Sequence, residues 1–270
     1  MVNNSTDIVS GSIVYSLISE KKREKDKFLT ESVLAFQISG QLTLETSGQK
    51  ISTKRGDMLL MRKHQLVKIT KTPLQGEDYK IIFILFSEDI LRKYALENQI
   101  DIEQKYKGKP NILIAGKEFL QGFFQSLIPY LEKPQARITN KLGILKVKEA
   151  VELLLYSMPG LKAFLFDFSE PHKIDLEKFM LSNFHFNVPV EKFAQLTGRS
   201  LAGFKRDFQK TFGTSPRQWL QNKRLTEARY QIEKKSKKPS AIYLDLGFES
   251  LSHFSNSFKQ KFGVAPTELR

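Results

Sequence analysis

The chain has 270 residues, of which 40% are hydrophobic and 27% charged; this fits two domains that each bury a core and excludes a disordered chain. It contains no cysteine, which excludes disulfides, cysteine-bound metal sites and thiol catalysis, and its four histidines lack metal-ligand spacing. The polar first eleven residues hold no apolar signal core, and the longest fully apolar stretch, residues 81–86, is too short to span a bilayer. We therefore expect a soluble protein of the cytoplasm without a metal or a cofactor.

The net charge is +14, from 43 lysines and arginines against 29 acids. The excess is uneven, because residues 171–270 carry 18 basic and 9 acidic side chains whereas residues 1–170 carry 25 and 20. A basic domain attracts polyanions, first nucleic acid and second acidic membranes or acidic proteins. Surface charge also serves solubility, so the charge alone leaves nucleic acid binding and simple solvation equally open.

The N-terminal part, from about residue 12 to residue 86, has the pattern of many short strands. Apolar residues alternate or form strand-length runs, and turn residues separate the runs. The clearest runs are residues 33–38, 42–44, 58–61, 66–69 and 79–86, with turns at Ser39-Gly40, Ser47-Gly48 and Arg55-Gly56-Asp57. Short strands at regular spacing predict a β-sandwich or a β-barrel.

From about residue 87 to residue 158 the apolar period becomes helical. Ser87-Glu88-Asp89 is typical of a helix N-cap followed by acids in the first turn. Two longer amphipathic helices are predicted over about 117–132 and 141–158. The segment around Pro171 is the predicted boundary, which divides the chain into domains 1–168 and 169–270.

The C-terminal third contains an internal repeat. Three phenylalanines four residues apart form an apolar stripe on a helix, a glycine ends that helix, and a proline follows. A shorter helix that opens at a proline and ends in a glycine precedes each stripe. Each copy, about 189–213 and 239–263, is therefore predicted to be a helix-turn-helix whose stripe packs in the core. The repeated residues are Phe204, Phe208, Phe212, Gly213 and Pro216, and then Phe254, Phe258, Phe262, Gly263 and Pro266.

A longer helix over about 216–235 is predicted between the two copies, with a proline in its first turn. Twenty residues at about 1.5 Å each give a length of about 30 Å. A spacer of that length can set two recognition helices about one DNA turn, or 34 Å, apart on the same face of a duplex. The repeat and its spacer therefore predict binding to double-stranded DNA.

The motifs of this region occur at fixed spacing: Leu246-Gly247-Phe248, Phe254-Ser255, Phe258-Lys259 and Phe262-Gly263-Val264-x-Pro266, with Arg224-Leu225-x2-Ala228 on the linker helix. Through them, residues 176–270 closely resemble the DNA-binding domain of AraC/XylS-type transcriptional regulators. The resemblance implies a sequence-specific regulator, expected to be an activator with RNA polymerase as a partner. It also implies that the second helix of each unit lies in a major groove.

With the stripe positions set aside, the second helices leave a set of candidate DNA-contacting residues. Lys205 and Arg206 are of the types that pair with guanine, and Asn256 is of the type that pairs with adenine. The alternative for each is a solvated side chain or a phosphate contact; His253 has the further alternative of packing, and Leu251 fits a thymine methyl group. The full set is Ala202, Lys205 and Arg206 in the first unit, and Leu251, Ser252, His253, Ser255 and Asn256 in the second. Lys234, Lys235, Lys237 and Lys238 form either a solvated loop or a phosphate-contacting segment.

The N-terminal part resembles the cupin-like sensor and dimerisation domains of the same family, through Ile38-Ser39-Gly40-x-Leu42 and Lys54-Arg55-Gly56-Asp57-x-Leu59. The resemblance implies a homodimer and a small-molecule or protein effector as candidate partners. Gly56-Asp57 is interpreted as a turn, and His64 as a turn or strand-end residue, since a cupin metal site needs several His and Glu ligands. Phe119, Phe123 and Phe124 are interpreted as helix core or as a dimer seam.

The expected fold class is therefore α+β in two domains. A cupin-like β-barrel or sandwich with following helices precedes an all-α double helix-turn-helix joined by a linker helix. One alternative is a metal-free cupin-type enzyme or ligand-binding protein with a basic helical tail, against which the missing acid–base constellation argues. An RNA-binding or architectural protein is disfavoured, because the RNA major groove is too narrow for two such readers. We expect a regulator, not an enzyme, with no membrane partner.

Overall fold

The computed structural model describes residues 5–10, 12–74, 76–100, 105–114, 116–132 and 138–269. Its contacts divide the chain into two units. The N-terminal unit contains Met1–Glu24 and Leu29–Ser169, and the C-terminal unit contains Lys25–Phe28 and Glu170–Arg270. The first is rich in β-structure and the second is helical, so the expected α+β fold class is confirmed.

The strands of the N-terminal half form two antiparallel sheets. Sheet 1 has the order β1-β2-β10-β5-β8-β11, and sheet 2 has the order β3-β9-β6-β7. In the described part of the chain the two sheets do not close into a barrel. The strands are β1 Ser5–Ser10, β2 Ile13–Ile18, β3 Lys22–Arg23, β4 Lys27–Leu29, β5 Ser32–Ser39, β6 Gln41–Glu45, β7 Lys50–Ser52, β8 Met58–Met61, β9 Gln65–Thr72, β10 Tyr79–Phe86 and β11 Asn111–Ile114.

Two of these strands, β1 and β11, lie outside the predicted range of residues 12–86. The sequence of β1 is mostly polar, with apolar residues only at Ile8 and Val9, so it gives no alternating signal. The four residues of β11 are too few for a period to show, and β11 is recognised only by its pairing with β8.

The central strands β5 and β10 of sheet 1 are covered on both faces, which explains why they are almost continuously apolar. Alternate residues of β5 point to opposite sides, because side chains alternate along a strand. Val33 and Ala35 pack with Leu42 and Val67 of sheet 2. Leu34 and Phe36 pack with the helices that follow, where the Phe36 ring stacks on the Phe124 ring at 4.7 Å.

The helices of the N-terminal unit begin with α1, which Ser87 caps as predicted: its Oγ accepts a hydrogen bond from the Ile90 amide at 3.5 Å. The two longer predicted helices are present with ends shifted by one residue or less. Within the described ranges, no helix of either unit is both long and apolar enough to cross a membrane. The helices are α1 Glu88–Glu97, α2 Glu118–Glu132, α3 Asn140–Ser157, a 3-10 turn Pro159–Leu161 and α4 Lys162–Phe166.

The C-terminal unit contains the predicted double helix-turn-helix, but the short helix of the second copy ends at Ile242 and not at Gly247, because residues 243–247 form turns. Both stripe helices end at a glycine in the left-handed conformation, Gly213 at φ 68° and Gly263 at φ 80°. The linker helix α8 has the predicted bounds, and α7 and α10 each pack against it. The helices are α5 Leu176–Asn183, α6 Val190–Leu196, α7 Leu201–Phe212, α8 Pro216–Lys235, α9 Pro239–Ile242 and α10 Leu251–Phe262.

The first two phenylalanines of each stripe lie in the core, as predicted, and the third, Phe212 or Phe262, is half-buried. Phe204, Phe208, Phe254 and Phe258 are fully buried. Phe258 packs in one cluster with Leu225 and Ile232 of α8 and with residues of the α9 region. The stripe therefore fixes α10 to the linker helix and turns its opposite face to solvent.

Phe258→Ala should destabilise the C-terminal unit by about 3–5 kcal/mol, because it removes a fully buried aromatic side chain and leaves a cavity. Lys259→Ala is the matched control on the exposed side of the same helix and should change stability by less than about 0.5 kcal/mol. Urea unfolding of the two variants and the wild type measures both effects. A wild-type unfolding midpoint for Phe258→Ala would show that the stripe is not core.

Candidate DNA-binding surface

The two stripe helices begin in the same way. Ser200 caps α7, and its Oγ accepts a hydrogen bond from the Gly203 amide at 3.1 Å. Ser250 caps α10, and its Oγ accepts one from the His253 amide at 3.2 Å. Both helices have 12 residues and their caps are fifty positions apart, so residues fifty apart occupy equivalent sites on the two helices. The repeat in the sequence is thus a repeat in geometry.

Among the candidate residues of α7, Ala202 and Arg206 lie on the face opposite the stripe, and Lys205 lies beside the stripe, about 60° from Phe208. At about 100° per residue, Ala202, Lys205 and Arg206 project about 100–160° away from Phe204. All three are exposed. The Arg206 side chain is 83% exposed, with its Nε 4.0 Å from the Asp207 carboxylate. The structure thus brings the three predicted residues of the first unit together on one solvent-facing surface.

The candidate residues of α10 are more scattered. Ser252 and Asn256 are exposed on the face opposite the stripe, and Ser255 beside them is half-buried. Leu251 lies only about 60° around the helix from Phe254, nearer to the stripe than to that face. His253 flanks the other edge, where its ring is 5.9 Å from the Phe248 ring. Only Ser252, Ser255 and Asn256 of the predicted residues therefore lie at the centre of this surface.

Two residues of the same surface are absent from the predicted set. Gln209 and Lys259 are exposed, lie about 140° from the first phenylalanine of their stripe and are fifty positions apart. Each follows the predicted positions by one helical turn. An amide and an amine are both side chains that hydrogen-bond base edges or phosphates. The fifty-residue offset, applied to the exposed face as well as to the stripe, identifies them from the sequence.

The exposed face of α7 is held in place by an ionic cluster at its base. Arg199 is almost fully buried, and its Nε donates to the Asp207 carboxylate at 3.0 Å. Its Nη1 donates to the carbonyls of Ile174 at 3.0 Å and Thr197 at 2.7 Å. Lys173 lies 3.3 Å from the same carboxylate. The hydrogen bonds from Arg199 and then Lys173 lower the pKa of Asp207 below its ordinary value of 3.8.

The predicted lysine cluster lies where α8 ends. Lys234 and Lys235 occupy the last turn of the helix, and Lys237 and Lys238 follow Ser236, which has a φ of 50°. All four lysines are exposed. Cations at a helix C-terminus are favoured by the helix dipole. The helix dipole therefore favours lysines at this end of α8, and their charges face solvent.

The candidate features of the N-terminal unit are consistent with a structural role. Gly56 has a φ of 85°, and the Asp57 carboxylate accepts a hydrogen bond from the Lys54 amide at 2.8 Å, which forms the predicted turn. His64 lies between β8 and β9 with a φ of 60°. No group of three or more acidic or histidine side chains in the described ranges is arranged to hold a metal ion.

The aromatic cluster on α2 is divided between core and surface. Phe123 and Phe124 are buried against sheet 1, as interpreted for a helix core. Phe119 is 61% exposed and meets the exposed Tyr156 ring edge-on at 5.6 Å.

Comparison with known families matches both halves of the chain. Residues 193–270 match a helix-turn-helix domain, and residues 32–164 match the ExsA N-terminal regulatory domain. The chain belongs to the AraC/XylS-type transcriptional regulators. The thermoregulatory protein LcrF of Yersinia pestis is 27% identical over 86% of this chain and 86% of its own.

Two further relatives of this AraC/XylS-type chain align over a similar length. The HTH-type transcriptional regulator ExsA of Pseudomonas aeruginosa is 26% identical over 86% of this chain and 84% of its own. The virulence regulon transcriptional activator VirF of Yersinia enterocolitica is 27% identical over 86% of both chains. The protein is a DNA-binding transcriptional regulator, and the alternative of a cupin-type enzyme finds no support in these comparisons.

Asp207→Asn should destabilise the C-terminal unit at neutral pH and have little effect in acid. The pKa of Asp207 is lower in the folded state than in the unfolded state. The carboxylate therefore stabilises the fold fully above the unfolded pKa, and this contribution disappears as the pH falls through the folded pKa. Urea unfolding at pH 7 and at a series of decreasing acidic pH values measures the difference. Gln209→Ala, which removes no titrating group, should show a difference that does not change with pH.

Proposed function

We propose that this chain is a cytoplasmic, sequence-specific transcriptional activator that places α7 and α10 in successive major grooves on one face of a DNA duplex. The observation that carries the proposal is the pair of equivalent helices, each capped by serine, buried by its stripe and polar on its exposed face. Their linker α8 has 20 residues, or about 30 Å, close to one turn of B-DNA. The name of VirF supports activation, which requires RNA polymerase as a partner.

We assign roles to individual side chains on the exposed faces of the two helices. In the first unit, Arg206 and Lys205 read guanine or bind phosphate, and Gln209 reads adenine. The small side chain of Ala202 allows the helix to approach the base edges closely. In the second unit, Asn256 and Lys259 take the places of Arg206 and Gln209. Ser252 and Ser255 supply further hydrogen bonds, and Leu251 and His253 contact a thymine methyl group and a phosphate at the edges.

The four lysines at the end of α8 contact the phosphate backbone rather than the bases. They are exposed, carry four positive charges within five positions and have flexible side chains. Such contacts raise affinity for every sequence alike and make it sensitive to salt.

The N-terminal unit acts as a regulatory domain without catalytic activity, which receives a small-molecule or protein effector and forms a homodimer. The match to a regulatory domain over residues 32–164 supports this role. The exposed pair Phe119 and Tyr156 supports a protein contact on α2 and α3, since large exposed aromatics are common in interfaces.

A fragment of residues 171–270 should bind duplex DNA without the rest of the chain, because it contains all six helices from α5 to α10 and an excess of nine positive charges. Its affinity should fall steeply with salt, since binding releases counterions from the phosphates. Titration of labelled duplex at several salt concentrations, with circular dichroism as the control for folding, measures this. A folded fragment without salt-dependent DNA binding would contradict the proposal.

Arg206→Ala should weaken binding to the preferred site and relax the preference at one base pair, by about 1–3 kcal/mol for a bidentate contact. Lys235→Ala is the comparison: it should lower affinity for specific and random duplexes alike and flatten the salt dependence. Titrations on the preferred duplex and on its single-base variants distinguish the two. Equal losses on specific and random DNA for Arg206→Ala would assign it to phosphate.

A further inference from the structure

Arg224 on α8 joins the two helix-turn-helix units through three backbone carbonyls. Its Nε donates to the Phe184 carbonyl at 2.8 Å, and its Nη2 donates to the Phe186 carbonyl at 2.7 Å. Both acceptors lie on the α5–α6 connection, which leads into the first unit. Its Nη1 donates to the Gly247 carbonyl at 3.1 Å, in the turn between α9 and α10 of the second unit. One side chain thus holds the entrance of one unit and the turn of the other.

The chemistry of this contact requires arginine. The guanidinium is planar and carries five donors in a rigid fork, so it can serve acceptors in different directions at once, which a lysine ammonium on a flexible stem does less well. Burial lowers the pKa of Arg224 to about 10, which reflects the cost of removing the charge from water. The three carbonyls replace the lost water as hydrogen-bond acceptors.

Gly247 provides a second, independent observation of a close fit. Its φ is 84°, and a Cβ at this position would lie 2.8 Å from the His185 carbonyl oxygen and 3.0 Å from the Arg224 Cζ. Any larger residue must displace either the α5–α6 connection or the guanidinium. The second unit therefore packs at this point directly against the α5–α6 connection, which leads into the first unit.

Beside this contact, a cleft of 490 Å³ separates the two units. The start of α6 forms one wall, with Val190 and Glu191, and the start of α10 forms the other, with Glu249 and His253. Arg224 and Gly247 both line this cleft. Asn187 and Glu249 approach across it at 3.2 Å, but that hydrogen bond is exposed to solvent. The buried fork of Arg224 is therefore the stronger of these two links.

We propose that Arg224 is a positioning residue that fixes the distance and angle between the recognition helices, and so determines which spacing of two half-sites the protein accepts. This inference rests on the proposed binding of α7 and α10 to successive major grooves. Arg224 itself contacts no base in this role. It acts by holding the two units in the arrangement that a duplex requires, so that binding of the second half-site follows the first without a further loss of freedom.

The test is a selection of duplexes from a random pool by the full-length protein, followed by titration on the selected sites and on single half-sites. The wild type should select two half-sites at one spacing. Arg224→Gln should select the same two half-sites over a broader range of spacings. Its affinity for the wild-type spacing should fall about tenfold, and its affinity for one half-site should change less than about twofold, because preorganisation and not contact is lost.

Gly247→Ala should broaden the spacing in the same way, since its Cβ must displace either the His185 carbonyl or the guanidinium, and both changes disturb the contact while leaving the arginine in the sequence. Arg229→Gln is the matched control, an exposed arginine on the same helix that pairs with Glu233 at 2.7 Å and lies over the Phe262 ring at 5.1 Å. It touches the second unit but, in the described part of the chain, makes no hydrogen bond to the α5–α6 connection, so its loss should keep the wild-type spacing. If Arg224→Gln unfolds by circular dichroism, Gly247→Ala decides the question.

Two outcomes overturn the proposal in different ways. A folded Arg224→Gln or Gly247→Ala protein that selects the single wild-type spacing, with equal losses on full sites and half-sites, would show that Arg224 serves stability alone. A wild type that selects no two-part site would overturn the placement of two helices in successive grooves, and the role of Arg224 with it.

Discussion

Burial of the phenylalanine stripes against α8 is the interaction on which the C-terminal unit depends. Phe208 and Phe212 pack on the Trp219 ring at 5.7 and 4.7 Å, and Phe258 packs among Leu225 and Ile232. Because the stripes repeat every four residues, burying them leaves each helix a single face for solvent. That face carries the polar residues that can meet DNA. The same hydrophobic contact therefore both stabilises the unit and decides which side chains are available for recognition.

In the N-terminal unit, the burial of sheet 1 decides which surfaces remain exposed. The central strands of sheet 1 are covered by sheet 2 on one side and by the helices on the other. These strands therefore contribute to stability and offer little to a partner. On the outer sides of the helices, Phe119 and Tyr156 remain exposed.

Much of the C-terminal unit could be predicted from the sequence, because its determinants are local. Stripes, glycine ends and prolines all act within one helix or one turn, and they place α7, α8 and α10 correctly. The hydrogen bonds that link the two helix-turn-helix units are not local in the sequence. Arg224 reaches carbonyls 38 and 40 positions earlier in the chain, and a carbonyl is present at every residue, so no residue type marks its partners.

The candidate surface was predictable in part for the same reason. Helical periodicity identifies which residues oppose the stripe, and Arg206, Asn256 and their neighbours follow from it. Gln209 and Lys259 were missed because they lie in the later half of each helix, although the repeat itself points to them. The packing of His253 beside Phe248 depends on the turn before α10. In the N-terminal unit, β11 was missed because its identity as a strand depends on its partner β8.

Within the described residues, the ionic cluster beneath α7 has no counterpart at the equivalent position of α10. Asp207 belongs to α7 itself, and its partner Arg199 lies just before that helix. The equivalent position in α10 is Ser257, which is buried and carries no charge. The two helix-turn-helix units thus share the same stripes and caps, but an ion pair supports only the first of the two stripe helices at this position. If α7 replaced α10, the Asp207 carboxylate would meet Glu249 at the position that Arg199 occupies in the first unit. If α10 replaced α7, Arg199 would lose the carboxylate with which it pairs. The two helix-turn-helix units therefore have the same framework, but their recognition helices cannot be exchanged without loss of a buried contact.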